Sequence, residues 1–422
     1  MLLFLAELLA ARWPGLCDWQ GLERITPRAA MAAVATFTLT LAGGPALIAW
    51  LTTHFREPIK SDSAEIARLH RAKHATPTMG GIFIVAGLAA SACALCDWHN
   101  PYLPIAVAMS VALCGLGACD DWIKLATSRR GLSARAKLLA QTAIALVAAA
   151  LVYRLHVPQD RGLELSLPLF GHFELGWMFV PLATLVIVAS SNSVNLADGL
   201  DGLAGGCLVC ATGALAVVAY ASGHAGWAAH LGIPHIAGAG EMVVVAAALV
   251  GGLLAFLWFN CHPASVFMGD AGSLPLGGLL GLFAVIARQE LLLVAIGGVF
   301  VAEAASVIVQ VASYRWRGRR VFLCAPLHHH FQLKGWPEDK IVVRFWIAAA
   351  LCALVGLAGL KLQSRQFAPA SQSASSQQLA RPNPPIQETP IFAELIEGDA
   401  CPTSTRPAPP GVRRSYARSR GY

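Results

Sequence analysis

Amide and acidic side chains that could bind a polar ligand recur every third residue in the segment SNSVNLADGLDGL. They are Asn192, Asn195, Asp198 and Asp201. On a helix, neighbouring members of such a series nearly share a face, and the glycines among them permit a bent or partly unwound backbone. Amides and carboxylates in this arrangement suit hydroxyl groups, a nucleobase edge or a hydrated metal ion.

Three further aspartates lie at the edges of apolar stretches. CDDWIK contains Asp120 and Asp121, for which a solvated helix end is the structural alternative. FNCHPASVFMGDAGSL contains Asp270 just before an apolar stretch, where aspartate is a common N-cap. Carboxylates beside a bilayer are costly, and those that occur there are usually functional. Because acidic groups without thiolates favour Mg²⁺, these aspartates predict a magnesium site.

Basic residues accompany the acidic ones. In KHATPTMGG, Lys73 can reach an anion, whereas capping of the next helix is the alternative for Thr78. Near the aspartate pair, Lys124 and Lys137 are candidates for phosphate binding, and Lys137 has anchoring at the headgroups as its alternative. APLHHHFQLKGW has three successive histidines, 328–330, which point in different directions on a helix. We therefore expect them to donate to phosphate and not to chelate one ion together.

The elements that position these residues are predicted to be membrane-spanning helices. Of the 422 residues, 56% are hydrophobic and 13% are charged, whereas a soluble domain has about 25% charged residues. A span needs roughly 20 apolar residues, and the eighth of the predicted stretches is short for one. The sequence thus predicts an all-α, polytopic protein with ten spans. These are 29–51, 79–96, 103–119, 136–153, 174–190, 203–221, 241–259, 273–287, 291–312 and 341–361.

The distribution of basic residues predicts the orientation. The loops after the first, third and ninth spans contain 16 lysines and arginines, and the loops on the opposite side contain three. Since cytoplasmic loops carry the excess of positive charge, the polar clusters are expected to face the cytoplasm, with both termini outside. The net charge of +7 reflects this topology and does not indicate nucleic-acid binding.

Composition divides the chain into three parts. Residues 1–28 are predicted to form an interfacial segment, without a recognisable cleavable signal peptide. Residues 29–361 form the ten-helix transmembrane domain, and residues 362–422, rich in Pro, Ser, Gln and Arg, are predicted to be a disordered tail.

These observations favour phosphoryl chemistry on a substrate that is partly lipid. An ion-coupled transporter is the alternative from another class, because intramembrane carboxylates also mark ion pathways. Against it, the carboxylates are predicted at one face of the membrane, and the sequence shows no inverted repeat.

The order of the motifs TPTMGG, DDWIK, NSVNLADGLDGL, VFMGDAGSL, APLHHHFQLKGWPE and VVRFW resembles the phospho-N-acetylmuramoyl-pentapeptide transferase family. This family belongs to the polyprenyl-phosphate N-acetylhexosamine-1-phosphate transferase superfamily, and the resemblance covers about residues 1–361. The triple histidine with KGW favours this branch over relatives that transfer N-acetylglucosamine phosphate, which remain the alternative. Two features depart from the pattern: Ala75 replaces an expected glycine, and the tail has no counterpart.

The resemblance implies transfer of phospho-N-acetylmuramoyl-pentapeptide from its UDP derivative to undecaprenyl phosphate. UMP is released, and lipid I, the first lipid-linked peptidoglycan precursor, is formed. The resemblance also implies Mg²⁺, a location in the bacterial inner membrane and a homodimer.

The resemblance also assigns roles to residues. Asp120 or Asp121 takes the last proton of the lipid phosphate or attacks first to form a covalent intermediate, and direct attack is favoured. Asp270 is the metal ligand, with Asp198 as a second candidate, and His328 is catalytic. The remaining positions that match or flank the substrate site are Lys73, Thr78, Lys124, Lys137, Asn192, Asn195, Asp198, Asp201, Asn260, Phe267, Gln310, His329 and His330.

Overall fold

The computed structural model describes residues 24–54, 76–127, 131–167 and 171–364, most of which are helical. Short 3₁₀ turns at Gly176–Met178 and Ala239–Glu241 lead into two of the helices. The helices in chain order are α1 (Ile25–His54), α2 (Gly81–Leu95), α3 (Tyr102–Ala126), α4 (Ala134–His156), α5 (Phe179–Ala197), α6 (Leu203–Gly223), α7 (Ala225–Leu231), α8 (Met242–Asn260), α9 (Asp270–Ile286), α10 (Glu290–Ile296), α11 (Gly298–Arg317), α12 (Leu327–Leu333) and α13 (Glu338–Ser364).

Among the described residues, seven helices are long and apolar enough to cross a membrane, namely α1, α3, α4, α5, α6, α8 and α13. Helices α10 and α11 meet at 87° and make an eighth if they form one broken span. Helices α2 and α9 are apolar but have only 15 and 17 residues. Each predicted span therefore coincides with a helix or with the bent pair, and a mostly helical membrane protein is confirmed. That the chain crosses the membrane ten times, and the orientation of its termini, stay predictions.

A small hairpin departs from the all-α prediction. Strand β1 (Glu164–Leu167) pairs antiparallel with β2 (Gly171–Glu174) in the connection between α4 and α5, with Glu164 opposite Glu174. The guanidinium of Arg288 donates to the carbonyl oxygen of Glu164, at 3.1 Å from Nε and 2.6 Å from Nη2. The hairpin is thus attached to the segment between α9 and α10. Hydropathy gives no signal for so short a pair of strands.

Helix α9 is the centre of the bundle, and all 17 of its residues are buried. A helix that is apolar on every side is expected inside a bundle, and α9 packs against α3, α5 and α6. Small residues permit close approach between membrane helices. A side chain at Gly277 would overlap the backbone of α5 at Ser190 and Ser191. This packing sets the first residue of α9 beside the ends of α3 and α5.

Two buried ion pairs stabilise the end of the bundle opposite to the aspartates. Arg28, near the start of α1, pairs with Glu241 at the start of α8 and also donates to the carbonyl oxygen of Leu95 at 3.3 Å. Arg288 pairs with Glu290 at the start of α10. Removing one partner of a buried pair leaves an uncompensated charge and costs about 3–5 kcal/mol. The Arg28–Glu241 pair therefore links α1 to α8, whereas the Arg288–Glu290 pair lies within the turn between α9 and α10.

The predicted terminal parts are mostly untested. Residues 1–23 and 365–422 lie outside the described residues, so the interfacial segment and the disordered tail stay predictions. Helix α13 continues to Ser364, slightly past the predicted boundary at residue 361.

Candidate active site

Three carboxylates from two helices form one buried cluster. Asp120 and Asp121 lie in the last turns of α3, and Asp270 is the first residue of α9. One oxygen from each residue lies within 4.8 Å of the other two. The approach depends on Gly117, where a side chain would overlap the backbone of Asp270. The two predicted aspartate motifs, 150 residues apart, thus meet at one point, which we call the carboxylate cluster.

Two ammonium groups contact the carboxylate cluster. The Nζ atom of Lys124 lies 2.7 Å from Asp270 Oδ2 and 3.0 Å from an oxygen of each aspartate of α3. The Nζ atom of Lys137, in the first turn of α4, lies 2.6 Å from Asp270 Oδ2 and 3.4 Å from Asp120 Oδ2. Opposite charges at these distances offset the repulsion among buried carboxylates. Both lysines therefore lie where they could bind a substrate phosphate at this cluster.

Asp270 does not cap its own helix. The N-cap of α9 is Gly269, whose φ of 70° is readily adopted only by glycine. The backbone N–H of Ala271 donates instead to Asp121 Oδ2 at 3.1 Å, so α3 supplies the acceptor. Asp270 Oδ1 accepts from Asn195 Nδ2 at 2.5 Å. The structural alternative for Asp270, an N-cap, is therefore wrong, and its carboxylate faces the cluster.

The asparagine–aspartate series is divided by the turn between α5 and α6. Asn192 and Asn195 lie on α5, where Asn192 Nδ2 donates to Gln141 Oε1 of α4 at 3.0 Å. The helix ends at Ala197, and Gly202 begins α6 with a φ of 78°. Beyond the break, Asp201 Oδ2 accepts from His262 Nδ1 at 2.9 Å. The expected bend at the glycines is present, and it directs Asn195 and Asp201 to different sites.

Asp198 lies in this turn, partly buried. Burial, together with the carboxylates of Asp270, Asp121 and Asp201, raises its pKa from 3.8 to about 8. At neutral pH this carboxyl group is therefore mostly protonated and can donate a hydrogen bond. A donor at this position suits an anionic or carbonyl-bearing ligand beside the carboxylate cluster.

The three histidines of α12 make separate contacts, as helical spacing predicts. His328 is buried, and its Nδ1 lies 3.3 Å from Glu303 Oε1. His329 Nδ1 is 2.7 Å from Gln332 Oε1, and His330 Nδ1 accepts from the N–H of Leu323 at 3.1 Å. The ring of His328 faces the turn between α5 and α6. It lies so close to Gly199 that a side chain there would overlap it.

Glu303 is a residue that sequence reasoning missed. It lies on α11 and is fully buried, and its Oε2 accepts from the N–H of Leu327 at 2.7 Å, which attaches α12 to α11. Its other oxygen faces His328. A lone carboxylate inside the apolar stretch 291–312 was the available signal, since such groups are rarely kept without a function.

Two of the predicted binding residues form hydrogen bonds to the backbone of loops in this structure. Asn260 accepts from the N–H of Gly202 at 2.9 Å and donates to the carbonyl of Val266 at 2.8 Å. Gln310 hydrogen-bonds the backbone of Val321 and Phe322. Their amides therefore support the turns around the site, and direct contact with a substrate stays a prediction.

Two predicted binding residues lie along a short backbone pairing between segments 76–81 and 264–268. Phe267 donates its N–H to the carbonyl of Pro77 at 2.8 Å. Buried Thr78 lies next to Gly269, where a side chain would approach its Oγ1. This pairing holds Thr78 beside the carboxylate cluster. Lys73 lies outside the described residues.

The carboxylate cluster has the chemistry of a site for a hard cation. Its three donors are all carboxylate oxygens, and Mg²⁺ prefers oxygen ligands. Mg²⁺ is usually bound by few protein carboxylates, with water or phosphate oxygens completing its coordination shell. Asp120, Asp121 and Asp270 therefore fit Mg²⁺ as donors.

An apolar groove of about 130 Å³ lies between α5 and the bent pair α10–α11. Its lining includes Leu293, Phe300 and Val194, the residue before Asn195. A larger apolar groove of about 840 Å³ lies between α3 and α4, but its lining includes none of the cluster residues. The lining of the smaller groove also includes none of the cluster residues, and Val194 is its nearest residue to Asn195 along the chain.

Comparison with protein families is consistent with this geometry. The family model described as glycosyl transferase family 4 matches residues 103–288, from α3 to just beyond α9. The match includes the carboxylate cluster and the asparagine–aspartate series, and it ends before the histidines. It supports the polyprenyl-phosphate hexosamine-1-phosphate transferase superfamily, which is membrane-embedded, and a glycosyl-1-phosphate transferase activity. It does not distinguish between the possible sugars.

Proposed function

We propose that the protein transfers phospho-N-acetylmuramoyl-pentapeptide from its UDP derivative to undecaprenyl phosphate, releasing UMP and forming lipid I. The observation that carries the proposal is the carboxylate cluster with two lysines in contact, among apolar helices long enough to cross a membrane. An anionic nucleotide sugar and a phosphorylated lipid need these two features side by side. The choice of sugar rests on the HHHFQLKGW motif of the sequence.

The donor diphosphate is proposed to lie against Lys124 and Lys137. Both ammonium groups already contact Asp270 Oδ2 at 2.6–2.7 Å, so phosphate oxygens can share them without large movement. Phosphoryl transfer is catalysed mostly by positioning and by stabilisation of charge. Asp120, Asp121 and Asp270 would hold Mg²⁺, which when bound supplies further charge stabilisation for the diphosphate.

The acceptor chain is proposed to lie along the apolar surface of the membrane helices, with its phosphate at the cluster. An oxygen of the lipid phosphate forms a bond to the β-phosphorus, and the bond from that phosphorus to the oxygen of UMP breaks. Both oxygens of Asp121 already accept hydrogen bonds, from Lys124 and from the N–H of Ala271. We therefore favour direct attack, with a carboxylate of the pair taking the last proton, over a covalent intermediate.

His328 is proposed to act through the turn that its ring faces. Glu303 Oε1 lies 3.3 Å from Nδ1 of the imidazole, and the ring faces Gly199, next to Asp198. This arrangement keeps Asp198 close to the donor site. His329 and His330, which are partly exposed, are proposed to reach the phosphates or the sugar.

We further propose that the protein lies in the bacterial inner membrane, as a homodimer, with this site facing the cytoplasm, where nucleotide sugars are made. The excess of 16 to three basic residues in the loops supports the orientation. A single cysteine introduced at 131–137 should react with a membrane-impermeant thiol reagent only from the cytoplasm, and one at 157–163 only from outside. The native cysteines are first replaced by Ala or Ser. The reverse pattern would contradict the orientation.

The activity is tested with purified protein, undecaprenyl phosphate, Mg²⁺ and each of two UDP-sugars. We expect kcat/KM for UDP-N-acetylmuramoyl-pentapeptide to exceed that for UDP-N-acetylglucosamine at least ~100-fold, a ratio typical of a site that pairs polar groups of one substrate only. UMP release and a new glycolipid are measured together. Comparable values for both sugars would move the protein to the sister branch, and a transporter would produce neither product.

A further inference from the structure

We propose that Asp201, His262 and Glu338 form a second cation site, which binds a divalent transition metal of the Zn²⁺ type. One ligand atom of each residue lies within 4.8 Å of the other two. The residues come from three elements: the turn before α6, the loop between α8 and α9, and the first residue of α13. The site is separate from the carboxylate cluster.

The distances suit one ion. His262 Nδ1 lies 2.9 Å from Asp201 Oδ2 and 4.0 Å from Glu338 Oε2. Two ligands bound tetrahedrally to Zn²⁺ at ordinary bond lengths are about 3.4 Å apart. The observed separations lie on either side of this value, so small side-chain rotations bring the three atoms around a common centre.

The ligands are held in place by the backbone around them. Asp201 is buried, and its Oδ2 also accepts from the N–H of Ala264 at 3.2 Å. The N–H of Asp201 donates to Glu338 Oε1 at 3.1 Å, which directs Glu338 Oε2 towards the imidazole. The indole of Trp346 donates to the carbonyl of Gly202 at 3.1 Å and so attaches the same turn to α13. Ligands oriented in this way lose little conformational freedom on binding an ion.

The donor types separate this site from the carboxylate cluster. An imidazole nitrogen with carboxylate oxygens suits Zn²⁺, Co²⁺ or Ni²⁺, whereas an all-oxygen set suits Mg²⁺. The side chain of His262 is 44% exposed, so an ion from solution can reach it. Mg²⁺ at the carboxylate cluster and Zn²⁺ at this site can therefore be bound at the same time.

Occupancy of this site would affect the donor site. An ion held by Asp201 and Glu338 fixes the turn that contains Asp198 against α13, and it withdraws Asp201 from any nucleotide. We expect Zn²⁺ to inhibit UMP release in competition with the UDP-sugar. This inhibition rests on the proposed function, whereas binding of the ion does not.

The test uses full-length protein in detergent with millimolar Mg²⁺ present throughout. Binding of Zn²⁺ is measured by titration and by metal analysis after desalting, and Co²⁺ serves as a spectroscopic probe of an imidazole ligand. The variants are His262→Ala and Glu338→Gln. His99→Ala is the matched control, because His99 Nδ1 lies 3.1 Å from Asp97 Oδ1 without a third ligand among the described residues.

We expect one tightly held Zn²⁺ per chain, and at least ~10-fold weaker binding in His262→Ala and Glu338→Gln, as for loss of a metal-site partner. His99→Ala should bind as the wild type does. Binding that stays unchanged in both variants would overturn the proposal. If the variants lose the ion but the wild type releases no UMP with either sugar, the second cation site stands and the proposed function fails.

Discussion

Replacement of Asp270 by asparagine is the most direct test of the carboxylate cluster. The change keeps the size of the side chain and removes one negative charge. Asp270 Oδ2 accepts from Lys124 at 2.7 Å and from Lys137 at 2.6 Å, and Oδ1 accepts from Asn195 at 2.5 Å. The asparagine amide has one oxygen, so it can accept hydrogen bonds at only one of these two positions. At the other position its NH₂ group would face the N–H donors of Lys124 and Lys137 or of Asn195.

The expected loss follows from these contacts. A hydrogen bond to a charged group contributes roughly 1.5–3 kcal/mol, and two lysine contacts lose their anionic partner. The two contacts together contribute roughly 3–6 kcal/mol. If most of this stabilisation serves the transition state, the barrier rises by about 4 kcal/mol and kcat/KM falls ~10³-fold. The variant should still fold, because α9 is held by a fully buried apolar surface. Added Mg²⁺ should rescue the activity only partly, since a hard cation has lost a carboxylate ligand.

The assay measures UMP release at limiting and saturating Mg²⁺, together with cooperative thermal unfolding. Asp97→Asn is the matched control, because Asp97 lies at the opposite end of the bundle from the carboxylate cluster, and we expect its activity to change less than about twofold. Asp270→Asn with more than about a third of wild-type activity at limiting Mg²⁺ would refute the role of Asp270. Asp198 would then be the leading metal ligand.

Three further predictions concern residues around the cluster and the tail. With a pKa of about 8, Asp198 is protonated at neutral pH and loses its proton as pH rises, so KM for the UDP-sugar should increase above pH 8. Asp198→Asn keeps a donor and should retain activity without this increase; a loss as large as that of Asp270→Asn would make Asp198 a metal ligand. Glu303→Gln should lower kcat about tenfold, or 1.4 kcal/mol, in protein that stays folded, whereas a purely structural role would lower only the melting temperature. Deletion of 366–422 should leave kcat and KM within about twofold, and a tenfold loss would show that the tail supports activity.

The local hydropathy pattern of the sequence was sufficient to predict the positions of the membrane helices. Each stretch with high hydropathy coincides with a helix or a bent pair, because apolar length and backbone hydrogen bonding leave few alternatives in a membrane. The gathering of polar clusters at one end of the bundle also follows from the sequence, since consecutive spans run in opposite directions. The sequence likewise indicated the bend at the glycines of the asparagine–aspartate series.

The pairing of side chains was decided by the tertiary structure. Spacing in the sequence left Asp270 with two roles, N-cap or ligand. The approach of α3 at Gly117 resolved them by bringing Asp121 to the N-terminus of α9. Glu303 escaped notice because a single carboxylate in an apolar stretch does not reveal its partner, and His328 lies 25 residues further along the chain.

The sequence by itself determined which segments are buried in a membrane and which residues could do chemistry there. Only the tertiary structure decided that Asn195 serves the carboxylate cluster while Asp201 joins His262 and Glu338. The physical reason is the range of the forces. Hydropathy and helical periodicity act between neighbours in the chain, whereas hydrogen bonds and ion pairs of a site depend on contacts at a few ångströms between helices distant in sequence.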